Sequence, residues 1–271
     1  MNCPSWLALN DEALVPVFGA RSAPNLGPVA ALVSTEPDLR AVRTLCGTPI
    51  QSPFFMGTLF CLDQGGQGAA VAGPYIGAPY GAMVLESIIA KGADTILVLG
   101  WCGALSEHLK TGDILVPDLC LADEGTSRNY MEADGMFPRV SPSGSLSSVL
   151  RGFLTSHNVP HGSGTVWTTD AIYRETRTKV NYFKAIGASA VDMECSALCA
   201  VARYRKVRIA ALLVVSDELY GSGWNPGFRN ERFRTARKTA AGILVDLCRT
   251  LASEMSIGKP DQDALRRTPS P

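Results

Sequence analysis

Short apolar runs recur along the chain, each bounded by turn-forming or polar residues. The clearest are residues 28–34 (PVAALVS), 95–99 (TILVL) and 208–215 (RIAALLVV). Runs of this length, rich in β-branched residues and free of polar alternation, predict strands buried on both faces. Residues 187–217 (GASAVDMECSALCAVARYRKVRIAALLVVSD) read as strand, helix, strand. The first strand covers 188–193 and leads into Glu194. The helix covers 195–204, with small and apolar residues at helical spacing. Arg203 and Arg205 sit at its end, where the helix dipole favours cations. The second strand stops at Ser216-Asp217. Two acids, Glu194 and Asp217, therefore stand at the carboxyl ends of two strands. In open α/β sheets that edge binds ligands, and an acid there is costly to bury without a partner.

The same pattern divides the rest of the chain. Residues 13–18 (ALVPVF) suggest an edge strand, because Pro16 bars a central one. A helix is expected from Leu39. Residues 51–62 and 68–72 read as two strands paired around Gly65-Gly66. A helix is expected over 82–91, ended by Gly92. The strand at 95–99 is expected to break into Gly100-Trp101-Cys102-Gly103, where glycines admit close approach of a ligand or simply make a turn. A strand follows over 110–117, then a polar loop over 120–142, of a length that is often functional. A helix over 145–157, a strand over 164–168 and a closing helix over 231–251 complete the set. The resulting division is an N-terminal extension (1–27), one domain (28–252) and a polar, disordered tail (253–271).

Composition narrows the function. The 271 residues carry 25 Lys+Arg against 25 Asp+Glu, so no basic excess points to nucleic acid or an anionic membrane. The eight cysteines form no CxxC pair and sit mostly in apolar runs, as free thiols do in a reducing compartment. No metal site is expected. Cys195 and Cys199 share a helix face without a further ligand, and Pro160 interrupts the spacing of His157 and His161. With no signal-peptide pattern and no membrane-length apolar run, a cytoplasmic protein is expected.

Four segments carry a family resemblance: Gly100-Trp101-Cys102-Gly103-Ala104-Leu105 with Gly112-Asp113-Ile114, Thr169-Asp170-Ala171-Ile172-Tyr173, Val191-Asp192-Met193-Glu194, and Val215-Ser216-Asp217. In this order and spacing the chain resembles the nucleoside phosphorylase and nucleosidase superfamily, from about residue 28 to 249. The resemblance implies a three-layer α/β domain with a mixed, partly barrel-like sheet, assembled into homo-oligomers built on dimers, up to hexamers. It implies that Glu194 accepts hydrogen bonds from the ribose hydroxyls and that Met193 packs on the sugar. Ile172 and Tyr173 would lie against the base, with Cys102 and Gly103 beside the substrate. Asp217 would give a proton to purine N7, assisted by Arg229. Purine nucleosides are therefore expected over pyrimidine ones.

The chemistry fits two acids. Breaking an N-glycosidic bond puts negative charge on the base and positive charge on the sugar, and a proton donor and a carboxylate stabilise opposite ends. A pair of capping or ion-paired carboxylates is the structural alternative. The chain departs from the phosphorolytic pattern at three places. Thr35-Glu36-Pro37-Asp38-Leu39-Arg40 stands where such relatives have Gly-Asp-Pro-x-Arg. Val98 stands where they have arginine, and Trp101 where they have Ser or Thr. Arg40 remains to bind phosphate, with Arg21 or Arg43, one of them from a neighbouring subunit, as a substitute donor. The expectation is phosphorolysis, giving free base and ribose 1-phosphate, with inorganic phosphate as co-substrate and no other cofactor. Hydrolysis and a non-catalytic nucleoside-binding protein are the alternatives.

Overall fold

The computed structural model describes residues 13–18, 26–62, 68–132 and 135–257. The chain begins with β1 (Val29–Val33), α1 (Glu36–Leu45), β2 (Ser52–Phe54), β3 (Gly57–Cys61), β4 (Ala69–Gly73) and α2 (Ala78–Ala90). The central part holds β5 (Thr95–Ala104), β6 (Ile114–Asp123), β7 (Arg139–Val140), α3 (Gly144–Ser156) and β8 (Gly162–Thr169). It ends with α4 (Arg177–Ala185), β9 (Ala188–Asp192), α5 (Cys195–Arg205), β10 (Arg208–Glu218), β11 (Asn225–Pro226) and α6 (Glu231–Ile257).

Five strands close on themselves. β5 pairs with β10 in parallel, β10 with β6 antiparallel, β6 with β8 and β8 with β9 in parallel, and β9 returns antiparallel to β5. The sheet continues from β5 through β1, β4, β3 and β2. This is the three-layer α/β domain with a partly barrel-like sheet that the resemblance implied. One apolar core lies under α2 and α5. A second lies under α1, α3 and α6. α5 carries no polar stripe on its buried turns, because it is packed between sheet and α2. Arg205 at its end is fastened to Glu86 of α2 at 2.7 Å, and does more there than complement a dipole. Among the described residues, no helix is long and apolar enough to cross a membrane.

Barrel closure overturns several expectations of the one-dimensional pattern. β5 does not break at Gly100. It runs on through Ala104, because Trp101, Cys102 and Gly103 keep partners on β10. β6 likewise runs past Pro117 to Asp123, with a bulge between Pro117 and Leu119, and so absorbs the start of the expected loop. β9 and β10 are not neighbours in an open parallel sheet. Both flank β5, β9 antiparallel and β10 parallel, and both reach Gly103 and Ala104. Residues 51–62 split at Phe55 into the β2–β3 hairpin. Residues 13–18 form no strand. α4 had no expectation at all, and α6 runs to Ile257, past the expected start of the tail. Gly65-Gly66, Cys3 and residues 258–271 lie outside the described residues.

A third, smaller core closes the barrel end nearest α4. Trp167 stacks on Phe183 with ring centroids 4.2 Å apart and planes at 9°, and Leu105, Leu121, Val180, Val191 and Leu219 surround them. Both aromatic rings are fully buried. Removing the Phe183 ring leaves a cavity that the rigid β8 and β9 cannot fill. Phe183→Ala is expected to cost about 3–5 kcal/mol. Urea unfolding of the variant checks this, and a loss under 1 kcal/mol would show that this end of the barrel carries little of the stability.

Candidate active site

A cavity of about 580 Å³ opens at the end of β5. Its walls come from segments far apart in sequence: Ser34 and Thr35 after β1, Tyr75 and Ile76 after β4, and Trp101 to Gly103 on β5. Ile172, Tyr173 and Glu175 follow β8, Val191 to Glu194 follow from β9, and Ser216 and Asp217 lie on β10. A side chain at 103 would put its first carbon 2.5 Å from Leu219 Cδ1 and 3.2 Å from Asp217 Oδ2 and Val191 Cγ1. Glycine there lets β9 and β10 bring their acids to one place.

The first acidic end is built around Asp192. Its Oδ1 accepts from Thr168 Oγ1 at 2.6 Å, and its Oδ2 accepts from the backbone N–H of Cys195 at 2.7 Å and of Glu194 at 3.2 Å. Asp192 therefore satisfies the free N–H groups where α5 begins. Glu194 has no capping bond of its own. Its Oε1 instead accepts from Gly77 N–H at 2.6 Å, and its carboxyl faces the cavity. Burial, and then the like charge of Asp192, push Glu194 up to about 8. Tyr75, also in the wall, is buried with a hydroxyl that has no partner among the described residues.

The second acidic end holds Asp217 and Glu175. Asp217 Oδ1 accepts from Ser216 Oγ at 2.5 Å and Oδ2 from Trp224 Nε1 at 2.8 Å. Asp217 caps no helix, because β10 continues to Glu218 and turns into β11. Burial, and then the charge of Asp217, push Glu175 up to about 7. The neighbouring Glu218 behaves in the opposite way. Burial opposes its charge, yet hydrogen bonds from Thr111 N–H, Tyr220 and Asn225 outweigh that and hold it down at about 2. Glu218 is thus a fastener and Glu175 a group able to change protonation near neutrality.

Behind the wall lies a third charged group. Asp38, 1% exposed, accepts from Trp101 Nε1 at 2.6 Å, Thr35 Oγ1 at 2.9 Å and Arg237 Nε at 2.7 Å. This explains how β5 tolerates a tryptophan where the chain departs from its relatives: the indole N–H is spent on Asp38.

The expected site residues divide cleanly. Cys102, Gly103, Ile172, Tyr173, Met193, Glu194 and Asp217 all line the cavity. Arg40 does not; it is exposed and paired with Glu36 on the outside of α1. Arg43 is also outside the wall. Arg229 is exposed and away from the wall, and Asp217 takes its hydrogen bonds from Ser216 and Trp224 instead. Arg21 lies outside the described residues. Glu175, Trp224, Tyr75 and Asp38 were missed. Glu175 lay only two residues beyond Tyr173, in a segment already singled out, so its acid could have been found. Asp38 lay in the departing Thr35–Arg40 segment, and nothing local marks Trp224 or Tyr75.

Residues 27–249 match the family model of the Phosphorylase superfamily, and the chain belongs to that family. A guanosine phosphorylase of Halorubrum lacusprofundi is 28% identical over 144 residues, which are 53% of this chain and 58% of that protein. The chain spans little more than half the length of the first curated relatives it matches, 54% to 65%. Among solved structures, a purine nucleoside phosphorylase from Toxoplasma gondii in complex with immucillin-H superimposes with TM-score 0.75. It is 19% identical, over 85% of this chain and 93% of that one. The 5′-methylthioadenosine/S-adenosyl homocysteine nucleosidase of Campylobacter jejuni superimposes with TM-score 0.71 and is 18% identical, over 83% and 99%.

The Asp192–Glu194 pair yields a direct test. Asp192→Asn keeps an acceptor for the α5 N–H groups and removes the charge that helps raise Glu194. The infrared band of protonated Glu194 is expected to vanish as pH rises through about 8 in the wild type and at lower pH in Asp192→Asn. An unchanged midpoint would mean that burial alone sets the proton affinity of Glu194.

Proposed function

We propose that the chain cleaves the N-glycosidic bond of a purine-type nucleoside in this cavity, with water as the nucleophile. The observation that carries the reading is one cavity lined by two sets of acids from different strands: Glu194, which follows β9, and Asp217 on β10 with Glu175. The ribose is assigned to the Glu194 end. There its 2′- and 3′-hydroxyls donate to the carboxylate and the orphaned Tyr75 hydroxyl finds a partner. The base is assigned to the other end, between Ile172, Tyr173 and the carboxyl pair. As the bond from C1′ to the base nitrogen breaks, its electron pair leaves with the base. The pair Asp217–Glu175 supplies a proton to the base, and water adds its oxygen to C1′. The proton lost by that water restores the pair, so the products are free base and free ribose. Asp217 already accepts from two donors, whereas Glu175 holds its proton up to about 7. Glu175 is therefore the donor, kept protonated by burial and then by the charge of Asp217.

The choice of water rests on the wall. Among its described residues there is no Lys, Arg or His, while Glu175, Asp192, Glu194 and Asp217 all belong to it. Inorganic phosphate needs several charge-assisted donors and meets like charge instead. Phosphorolysis, implied by the resemblance, draws support from the names of the phosphorylase relatives, but Arg40 and Arg43 stand outside the cavity. A panel of inosine, guanosine, adenosine and uridine, with and without phosphate, tests both points. The expected outcome is free ribose from purine nucleosides at a rate independent of phosphate. Ribose 1-phosphate as the sugar product would overturn hydrolysis, and a preference for uridine would overturn the purine assignment.

The two acids also set the pH dependence. Glu194 must lose its proton to accept from the ribose hydroxyls, so activity rises with pH up to about 8. Glu175 must keep its proton, so activity falls as pH rises above about 7. The profile of kcat/KM, which reports the free enzyme, is expected to be a narrow bell between these values. Glu175→Gln is expected to lower kcat about 10²–10⁴-fold, the usual worth of a general acid, and to abolish the alkaline limb. Should Glu175→Gln keep that limb, the donor is another group.

A further inference from the structure

The cluster behind the cavity wall is more than a fastening between α1 and α6. Arg237 reaches Asp38 Oδ1 through both Nε and Nη2, each at 2.7 Å, while Trp101 Nε1 and Thr35 Oγ1 share Oδ2 at 2.6 and 2.9 Å. Four donors converge on two oxygens, which is how a protein holds an oxyanion. The guanidinium also lies 4.9 Å from the centre of the Trp101 ring and 5.5 Å from that of Phe233. Those two rings hold Arg237 in place independently of Asp38. Thr35 and Trp101 belong to the cavity wall as well as to this cluster.

We infer that the Thr35–Trp101–Arg237 cluster is an anion cradle opening on the active cavity, and that Asp38 fills it as a built-in carboxylate. Asp38 is thereby the residue that keeps inorganic oxyanions from serving as nucleophile, an inference that rests on the hydrolytic reading above. The physical reason is local neutrality. Arg237 is half of a satisfied pair, its side chain only 15% exposed. With Asp38 present, the positive charge of the cradle is neutralised and the donors that converge on Asp38 are occupied. With the carboxylate removed, a positive charge, an indole N–H and a hydroxyl remain around a space the size of the lost group, beside the wall residues they share with the cavity.

The test uses the full chain as wild type, Asp38→Ala and Asp38→Ala/Arg237→Met, melted in rising sodium formate or sodium phosphate at constant ionic strength held with chloride. Asp38→Ala is expected to melt below the wild type. Either oxyanion should then raise its melting temperature saturably by several degrees, since a ligand that binds only the folded state stabilises it. The wild type and the double variant should show no saturable response. Asp38→Asn, which keeps the packing while removing the charge, should respond in the same direction but less, and it carries the test if Asp38→Ala does not fold. An equal response in all chains, or none in either Asp38 variant, would overturn the cradle. A product assay separates this from the function itself. Phosphate-dependent ribose 1-phosphate from Asp38→Ala, against free ribose from the wild type, supports the exclusion role. Ribose 1-phosphate from the wild type would overturn the hydrolytic reading and the exclusion role together. A hydrolytic wild type with an anion-blind Asp38→Ala would overturn the cradle alone.

Discussion

Closure of the five-stranded barrel at Gly103 is the constraint on which the site depends. β9 and β10 reach the same residue of β5 from opposite sides and in opposite directions. They can do so only because position 103 has no side chain to hold Leu219, Asp217 and Val191 apart. Once they meet, the acid that follows β9 and the acid near the end of β10 face one cavity. The Trp167–Phe183 stack fills the barrel end beneath them, and Val191 and Leu219 belong both to that core and to the cavity wall. Packing and chemistry therefore share residues, and the precision of the site comes from a close-packed interior.

Within the cavity, acids of similar chemistry have different duties because their donors differ. Asp192 spends its oxygens on Thr168 and on the N–H groups at the start of α5, and so positions Glu194 without being available itself. Glu194 is left with backbone donors alone, a buried setting and a like charge nearby, and burial and that charge raise its proton affinity. Ribose hydroxyls are suited to supply it with further donors. Asp217 and Glu175 divide the other end in the same manner, one satisfied by Ser216 and Trp224, the other carrying the proton. Environment, and not residue type, assigns the roles.

Asp38 extends this logic beyond the wall. Chemically it is the same group as the others, but it lies behind the wall residues Thr35 and Trp101 and pairs with Arg237. The guanidinium that lies over the Trp101 ring is thus paired with a carboxylate. The tryptophan at position 101, unusual for the resemblance, becomes intelligible as one donor of that arrangement.

Much of this was legible in one dimension. Uninterrupted apolar runs located β1, the first half of β5, β9, α5 and β10, because burial on both faces leaves no polar position. The four short motifs identified the family and seven residues that line the cavity, because each lies at a strand end or in the turn that follows one. What sequence could not show was the closure. Whether β5 stops at Gly100 or continues depends on partners more than a hundred residues away on β10. Arg40 and Arg229 were suggested by the family resemblance, but both are exposed and neither belongs to the wall. Asp38, Trp101 and Arg237 are joined only across β5, α1 and α6, with up to 199 residues between partners. Sequence determined which segments would be buried and which acids were costly enough to need a purpose. Only the tertiary structure decided which donors reach those acids, and hydrogen bonds between distant segments are what set their charge.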